Sequence, residues 1–390
     1  MAYQGVDYLN IEHMLSDEEL IVLQSTRSFV NEEVLPTIDE HFENHTFPED
    51  LPRKLGEQGM LGPFIPTKYG GAGMSYVDYG LICQELERGD SGVRSFSSVQ
   101  SSLVMFPIWQ FGNEEQRMRW LPGLASGELI GCFGLTEPDF GSNPSGMLSR
   151  ARREGDEIVL NGTKRWITNA DVADVCVVWA KDEEGEIGAY VIEKDAPGLS
   201  QVEIKRKFSL RASHTGELIM EDCRIPAANK LPNTRGLGSA LKCLDSARYG
   251  IIWGALGAAM SCYHCALEYA KDRVQFSRPI AAYQLVQAKL VNMLTEISKG
   301  QLLALHFGRL RDAGNYKFVY TSMGKMNNVG MALEIARVAR DILGANGITT
   351  EYPIIRHMLN LESVVTYEGT EDMHRLIIGR DITGFGAFDG

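Results

Sequence analysis

The feature that most constrains the fold of this chain is a series of long helical patterns in its last third. From Gly236 onward, apolar residues recur with helical period through residues 241–273, 284–313 and 316–343. Each pattern reaches or exceeds about 25 residues, which is longer than most helices of globular proteins. Helices of this length suit an antiparallel bundle that packs against itself or against another subunit. The sequence therefore predicts a helical bundle over residues 236–390.

The middle of the chain predicts a β domain. Residues 131–235 carry short apolar runs at 157–160, 175–180, 189–192 and 217–219. Asn161-Gly162 and Glu184-Gly185 separate such runs and predict hairpin turns. Residues 1–130 are helical again, with an N-cap at Ser16, a helix over 76–88 that ends at Gly89 and Gly92, and a helix over 114–125. The expected fold is α+β: an N-terminal helical domain, a middle β domain and a C-terminal four-helix bundle.

Charge and composition argue against several classes of partner. The formal net charge of -13 gives no general attraction to nucleic acid or to anionic membranes. The most apolar stretch, residues 249–260, is short and rich in Gly and Ala, which favours a closely packed helix over a membrane span. Seven scattered cysteines indicate reduced thiols and a cytoplasmic protein. Cys262 and Cys265 form a CxxC without a second pair, so we expect helix residues there and no metal.

Eight short motifs follow one another along the chain and together resemble the acyl-CoA dehydrogenase family, in particular its members that act on glutaryl-CoA. They are ERGDSGVRSFSSVQSSLVM at 87–105, FGLTEPDFGS at 133–142, NGTKRWITN at 161–169, FSLRA at 208–212, ARYG at 247–250, DRVQF at 272–276, LGANG at 343–347 and TYEGT at 366–370. The resemblance covers essentially the whole chain. It implies FAD as cofactor, an electron-transfer flavoprotein as partner, a homotetramer, and the mitochondrial matrix as location if the chain is a mature eukaryotic one. A strand–GxGxxG–helix unit is missing from the sequence, which argues against a nicotinamide cofactor.

The resemblance also implies the residues that hold the flavin. Those expected at the ring are Phe133, Leu135, Thr136, Trp166, Ile167 and Thr168, with Thr168 donating toward flavin N5. Those expected at the remainder of FAD are Ser142, Arg273, Gln284, Gly344, Ala345, Gly347, Thr370 and Asp372, some of them contributed to a neighbouring subunit's cofactor. The ordinary alternatives are a strand with a core tryptophan and, for Gly344, a helix C-cap.

Glu368 matches the family's catalytic base at the start of a helix. A carboxylate held against the substrate's alpha carbon, with its pKa raised by desolvation, suits proton abstraction beside a thioester. The alternative is a first-turn carboxylate that stabilises a helix. Contacts to CoA and to the thioester are implied for Ser142, Asp245, Arg248, Tyr367 and Gly369.

Arg94 indicates the substrate, because a buried arginine in an acyl pocket requires an anionic partner. By resemblance Arg94 and Ser95 meet the distal carboxylate of glutaryl-CoA, with Glu87 and Ser98 nearby. The alternatives are a surface arginine, or one neutralised by Glu87 alone. The implied reaction is dehydrogenation and decarboxylation to crotonyl-CoA. A dehydrogenase of another short acyl-CoA, a non-decarboxylating glutaryl-CoA enzyme, a flavin oxidase and a flavin-containing nucleic-acid binder remain as alternatives.

Overall fold

A computed structural model describes residue 3 and residues 5–388 of the chain. Seven α-helices open it: α1 Asp17–Phe29, α2 Ile38–Asn44, α3 Leu51–Glu57, α4 Tyr76–Gly89, α5 Ser91–Ser98, α6 Phe106–Phe111 and α7 Glu114–Ala125. Seven strands follow: β1 Gly131–Gly134, β2 Arg150–Glu154, β3 Glu157–Thr168, β4 Val175–Lys181, β5 Ile187–Glu193, β6 Leu199–Glu203 and β7 Thr215–Pro226. The chain then continues as α8 Gly236–Asp272, a short hairpin of β8 Val274–Gln275 and β9 Arg278–Pro279, α9 Gln284–Asp312, α10 Phe318–Ile342, α11 Ile354–Val364 and α12 Glu371–Thr383. The α+β architecture of helices, strands and helices is confirmed.

Local sequence signals explain several helix ends. Ser16 and Glu19 form a capping box at the start of α1, each side chain accepting from the other residue's backbone N–H. Helix α4 ends at Gly89 as expected. The expectation that Gly92 also interrupts helical structure is wrong. Gly92 lies inside α5, where its N–H is capped by the side chain of Asp90 at 2.6 Å.

The seven middle strands form one sheet in the order β1-β4-β2-β3-β7-β6, with β5 paired to β4. Glu184-Gly185 joins the antiparallel strands β4 and β5, which confirms that hairpin. The second hairpin prediction is wrong, because Asn161-Gly162 lies within β3 at a shift of register against β7. Pairing along the whole length of two 12-residue strands outweighs the local preference of Asn-Gly for a turn.

Helix α8 forms the core of the C-terminal region and packs directly on α4. Gly250, Gly254 and Gly257 lie along the face of α8 that meets α4. A Cβ atom on Gly254 would lie 2.0 Å from Glu87 Oε2, and one on Gly257 would lie 1.8 Å from the Gln84 carbonyl oxygen. The two helices are therefore in backbone contact, which only glycine permits. By length and composition α8 could cross a membrane, but most of its apolar window is buried, as in a core helix of a globular protein.

Cys262 and Cys265 both lie on α8 with free thiols. Among the described residues no cluster of His, Cys, Asp and Glu could hold a metal ion. In this part of the chain, the CxxC spacing is one turn of a packed helix.

Candidate active site

Glu368 lies in a bend between α11 and α12, two residues before Thr370, the N-cap of α12. Its backbone φ is 52°, a left-handed conformation that residues other than glycine seldom adopt. The helix start predicted for it is thus displaced, and the alternative of a first-turn carboxylate is wrong, because Glu371 and Asp372 take those positions. The Glu368 Oε2 atom is buried and has no hydrogen-bond partner among the described residues. An unsatisfied buried carboxylate oxygen is unusual in a folded protein and marks a candidate reactive group.

Burial raises the pKa of Glu368 above its ordinary value, and the nearby cations Arg248, Arg94 and Lys325 oppose this rise. Arg248 also donates from Nε to the Glu368 carbonyl oxygen at 2.6 Å. Burial dominates, so the carboxyl group is a stronger base than an exposed glutamate once it is ionised.

Arg94 on α5 is buried, and its side chain is 1% exposed. Its Nε donates to Glu87 Oε2 at 2.5 Å, and Nη1 donates to Ser98 Oγ at 3.1 Å. The surface alternative for Arg94 is therefore wrong. Burial, the largest single effect, would lower the pKa of Arg94, but the attractions of Glu87 and Tyr367 and the hydrogen bond to Glu87 together raise it far above the usual value.

A hydrogen-bond chain connects this pair to the bend. Arg94 Nη2 donates to the phenol oxygen of Tyr367, which also lies 3.2 Å from Ser95 Oγ. Tyr367 directly precedes Glu368, and burial raises the pKa of its phenol to about 12. The structure thus brings together seven residues that the sequence places in three separate segments: Glu87, Arg94, Ser95, Ser98, Arg248, Tyr367 and Glu368.

Two of the residues expected at CoA stand apart from this cluster. Both carboxylate oxygens of Asp245 are occupied, Oδ2 by Arg311 Nη1 at 3.2 Å and Oδ1 by Thr321 Oγ1 at 2.5 Å. Ser142 lies in an exposed segment after β1. Gly369 does belong to the cluster, since a Cβ atom on it would lie 3.2 Å from both Arg248 Nη2 and the ring of His374.

Sequence reasoning missed Lys325 and His374, which lie directly behind the bend. Lys325 on α10 is buried and donates from Nζ to the carbonyl oxygens of Tyr367 and Gly369. Its position carries a signal, because buried Thr321, Asn328 and Val329 share the same helical spacing. His374 is also buried, and burial, followed by the effects of Lys325 and Arg248, lowers its pKa to about 3.

The residues expected at the flavin ring lie on and directly after β1 and at the end of β3. Trp166 sits at a shift of register in β3, with φ of 63° and an indole that is 57% exposed. Phe133 and Leu135 are buried on and beside β1, and Thr136 and Thr168 are half-buried. Ile167 is 3% exposed and its side chain packs in the sheet core, and its place beside the flavin stays a prediction.

Apart from Ser142, the residues expected at the remainder of FAD lie in the C-terminal helical region. Arg273 and Asn346 line one groove of about 640 Å³, so the end of α8 and the segment Gly344–Ile348 face the same space. Gln284 is exposed at the start of α9, and Gly344 and Ala345 are exposed after α10. Gly344 has φ of 59° and caps α10, while a Cβ on Gly347 would meet the Arg340 carbonyl at 2.3 Å. The glycine at 347 is therefore required by helix packing.

Thr370 and Asp372 serve α12 in the structure. Thr370 Oγ1 accepts from the Met373 N–H at 3.3 Å, and Asp372 accepts from Arg375 Nη1 at 2.7 Å. A flavin ring requires an aromatic face beside hydrogen-bond donors, and exposed Trp166 with half-buried Thr136 and Thr168 provides them. A diphosphate requires a nearby cation, and Arg273 lines the groove. The residues present fit FAD.

Three comparisons with known proteins agree. The family models for the acyl-CoA dehydrogenase N-terminal, middle and C-terminal domains match residues 16–128, 132–223 and 234–383. A glutaryl-CoA dehydrogenase structure from Mycobacterium smegmatis superimposes with a TM-score of 0.97 at 53% identity and covers 99% of this chain and 100% of that one. A second from that organism, in complex with FADH2, gives 0.97 at 48% with the same coverage. The human mitochondrial short-chain specific acyl-CoA dehydrogenase is 36% identical over 381 residues, 96% of this chain and 91% of that protein.

Proposed function

Because this chain belongs to the acyl-CoA dehydrogenase family, we propose that it oxidises glutaryl-CoA with FAD and releases the distal carboxylate as CO2 to give crotonyl-CoA. The observation that carries the choice of substrate is the buried guanidinium of Arg94 beside the base. Each of its nitrogens donates once, to Glu87, Ser98 or Tyr367. Each terminal nitrogen carries a second N–H, and a dicarboxylic acyl chain would supply an acceptor for both.

Glu368 is the base in this proposal. Its unpaired Oε2 removes a proton from the carbon alpha to the thioester, and burial raises the pKa of Glu368, which makes the ionised carboxylate a stronger base. The backbone N–H of Glu368 has no acceptor in the described part of the chain and is available to the thioester oxygen. Bound FAD supplies the acceptor for the hydride that leaves the beta carbon.

The second half of the reaction breaks the bond to the distal carboxylate. Its electron pair enters the conjugated thioester, and the protonated Glu368 returns its proton to the gamma carbon. Arg94 holds the carboxylate, and this opposes its departure as CO2. Glu87 at 2.5 Å competes for the same guanidinium and lowers the affinity for the departing carboxylate, which favours release.

We also propose the partners that the family resemblance implies. An electron-transfer flavoprotein reoxidises the cofactor, and four copies of the chain assemble. Exposed apolar side chains around the β8–β9 hairpin support an assembly surface there: Val274 is 53% exposed, Phe276 92% and Leu285 81%. Arg273 and Gln284 flank this surface.

The test is anaerobic mixing of the FAD-loaded protein with glutaryl-CoA and, separately, butyryl-CoA, followed by flavin absorbance and by mass spectrometry of the CoA products. We expect rapid bleaching with glutaryl-CoA, and crotonyl-CoA and CO2 in equal amounts. Glutaconyl-CoA without CO2 would place the protein among non-decarboxylating enzymes. Preference for butyryl-CoA would contradict the dicarboxylate assignment, and rapid peroxide formation in air would indicate an oxidase.

A further inference from the structure

The bend that carries Glu368 is held by cations on its carbonyl side. Lys325 Nζ donates to the Tyr367 and Gly369 carbonyl oxygens, each at 2.6 Å. Arg248 Nε donates to the intervening Glu368 carbonyl, also at 2.6 Å. Three successive carbonyl oxygens therefore accept from buried cations, at a residue whose φ of 52° is itself unfavourable. The left-handed backbone persists because these hydrogen bonds compensate for its strain.

Lys325 is an improbable residue at its position unless its charge is used. It lies in the middle of α10 and is 1% exposed, whereas lysine is almost never fully buried without a partner. Its two acceptors are neutral carbonyl oxygens. The remaining attraction is to the Tyr367 ring, whose centre lies 5.8 Å from Nζ, and to the carboxylates of Glu368 and Glu371. A neutral side chain that filled the same space would avoid the desolvation of an ammonium group.

We propose that Lys325 is a positioning residue for Glu368: it fixes the bend that aims the carboxylate at the substrate. This inference rests on the proposed function, in which Glu368 removes the alpha proton. It assigns Lys325 no contact with the substrate, because both of its hydrogen bonds are to the backbone of the bend.

The surrounding charges give the sign of the effect. Burial lowers the pKa of Lys325 to about 7, Glu368 and Glu371 raise it, and Arg248 and Arg94 lower it further. Lys325 in turn lowers the pKa of Glu368 against the larger effect of burial. The ionisable groups that face Lys325 come from every element around it: Arg94 on α5, Arg248 on α8, Tyr367 and Glu368 in the bend, and Glu371 and His374 on α12. A neutral residue at 325 therefore shifts ionisation of Glu368 to higher pH.

The experiment compares Lys325→Met and Lys325→Arg with a matched control, Lys207→Met, in the FAD-loaded protein. Lys207 also donates from Nζ to two carbonyl oxygens, those of Leu210 and Ser213, around a residue in left-handed conformation, Leu210 with φ of 50°. The Lys207→Met variant therefore measures the effect of removing a lysine that donates to two backbone carbonyl oxygens outside the bend. The first readout is the rate of anaerobic flavin reduction between pH 5 and 9. The second is the infrared band of the protonated Glu368 carboxyl group, assigned by its disappearance in Glu368→Gln and titrated without substrate.

We expect Lys325→Met to raise the midpoint of both titrations by about one pH unit and to lower the limiting rate by at least about tenfold, with KM little changed. Lys325→Arg stays charged throughout this range and should not raise the midpoint, and Lys207→Met should keep the midpoint of the parent. A Lys325→Met protein with the midpoint and rate of the Lys207→Met control would overturn the proposal. If Lys325→Met does not accumulate with FAD, Lys325→Gln takes its place under the same criteria. If acyl-CoA bleaches no form of the protein, the proposed function fails, and the infrared titration still decides the role of Lys325.

Discussion

Replacing Arg94 with leucine separates the structural and the substrate-binding parts of its role. In the parent, Arg94 and Glu87 are paired at 2.5 Å with side chains 1% and 0% exposed. The substitution leaves the Glu87 carboxylate buried with, among the described residues, only Ser91 Oγ as a donor, at 2.9 Å. Removing one partner of a buried ion pair destabilises folding by about 3–5 kcal/mol. We expect a loss of that size near neutral pH.

The loss in Arg94→Leu should depend on pH in a definite direction. Without its cation, the Glu87 carboxylate is a buried charge that no partner compensates, and acid relieves the cost of that charge. The stability deficit should therefore be larger at neutral pH than in acid. Urea unfolding at several pH values measures it. The double variant Glu87→Gln/Arg94→Leu should recover part of the stability at neutral pH, because no charge remains buried there.

The contribution of Arg94 to substrate binding is measured by comparing glutaryl-CoA with butyryl-CoA in the Arg94→Leu variant. A charge-assisted hydrogen bond contributes about 1.5–3 kcal/mol, and leaving the substrate carboxylate unpaired costs about 1–3 kcal/mol more. Together these lower kcat/KM for glutaryl-CoA by at least about 10²-fold, at about 1.4 kcal/mol per factor of ten. Butyryl-CoA has no distal carboxylate, so its kcat/KM should be maintained or improved. The double variant should not restore glutaryl-CoA turnover.

Arg356→Leu is the matched control. Arg356 is 2% exposed and donates at 2.8 Å to the buried Asp90 and at 2.8 Å to Asp39, away from the bend. It should lose comparable stability without changing the ratio of the two substrates. Equal losses for glutaryl-CoA and butyryl-CoA in Arg94→Leu would refute the reasoning, because Arg94 would then serve only the fold.

Three further predictions concern the base and the helix behind the ion pair. Glu368→Gln should keep FAD but slow anaerobic flavin reduction by about 10²–10⁴-fold, as stopped-flow absorbance measures; reduction within a few-fold of the parent would show that another group is the base. In the parent, the rate should rise with pH through a midpoint above the ordinary glutamate value of 4.5, because burial raises the pKa of Glu368 and only the ionised form accepts a proton. Gly254→Ala places a methyl group 2.0 Å from Glu87 Oε2. It should lower the free energy of unfolding by about 1–3 kcal/mol, as thermal unfolding measures, and reduce glutaryl-CoA turnover. Gly238→Ala on the same helix, with nothing within 4 Å, should do neither.

Much of the fold could be predicted because its helices are long and strongly periodic. The boundaries of α7 agree with the expectation, and the start of α9 at Gln284 does as well. The hairpin turn predicted at Asn161-Gly162 was wrong, because the turn preference of two residues is weak against ten paired positions between β3 and β7. Long-range pairing of this kind has no signature within a short window of sequence.

The candidate site, like the fold, could be predicted only in part. The family resemblance supplied Glu368, Arg94 and their neighbours, but the hydrogen bond between Arg94 and Tyr367 spans 273 residues and depends on how α5 meets the bend. Asp245 shows the converse, since its residue type suits a ligand while its two oxygens are occupied by Arg311 and Thr321. Lys325 was overlooked because a lysine in a helix is ordinarily solvated. Only its spacing from buried neighbours distinguishes it.

The glycine face of α8 fixes the position of α4. Under the proposed function, this limits the length of the acyl chain that the site accepts. Gly254 and Gly257 hold α4 so close that the helix bearing Glu87 has no room to approach, and the packing on its far side opposes retreat. Arg94 is paired with Glu87 on this fixed helix, so under the proposed function a diacid with one methylene more or less would not be accommodated by a small adjustment of the Arg94 side chain. Lengthening the pocket requires a change in helix packing, so variants selected for longer diacids should carry substitutions on α4 or α8 in addition to those at Arg94.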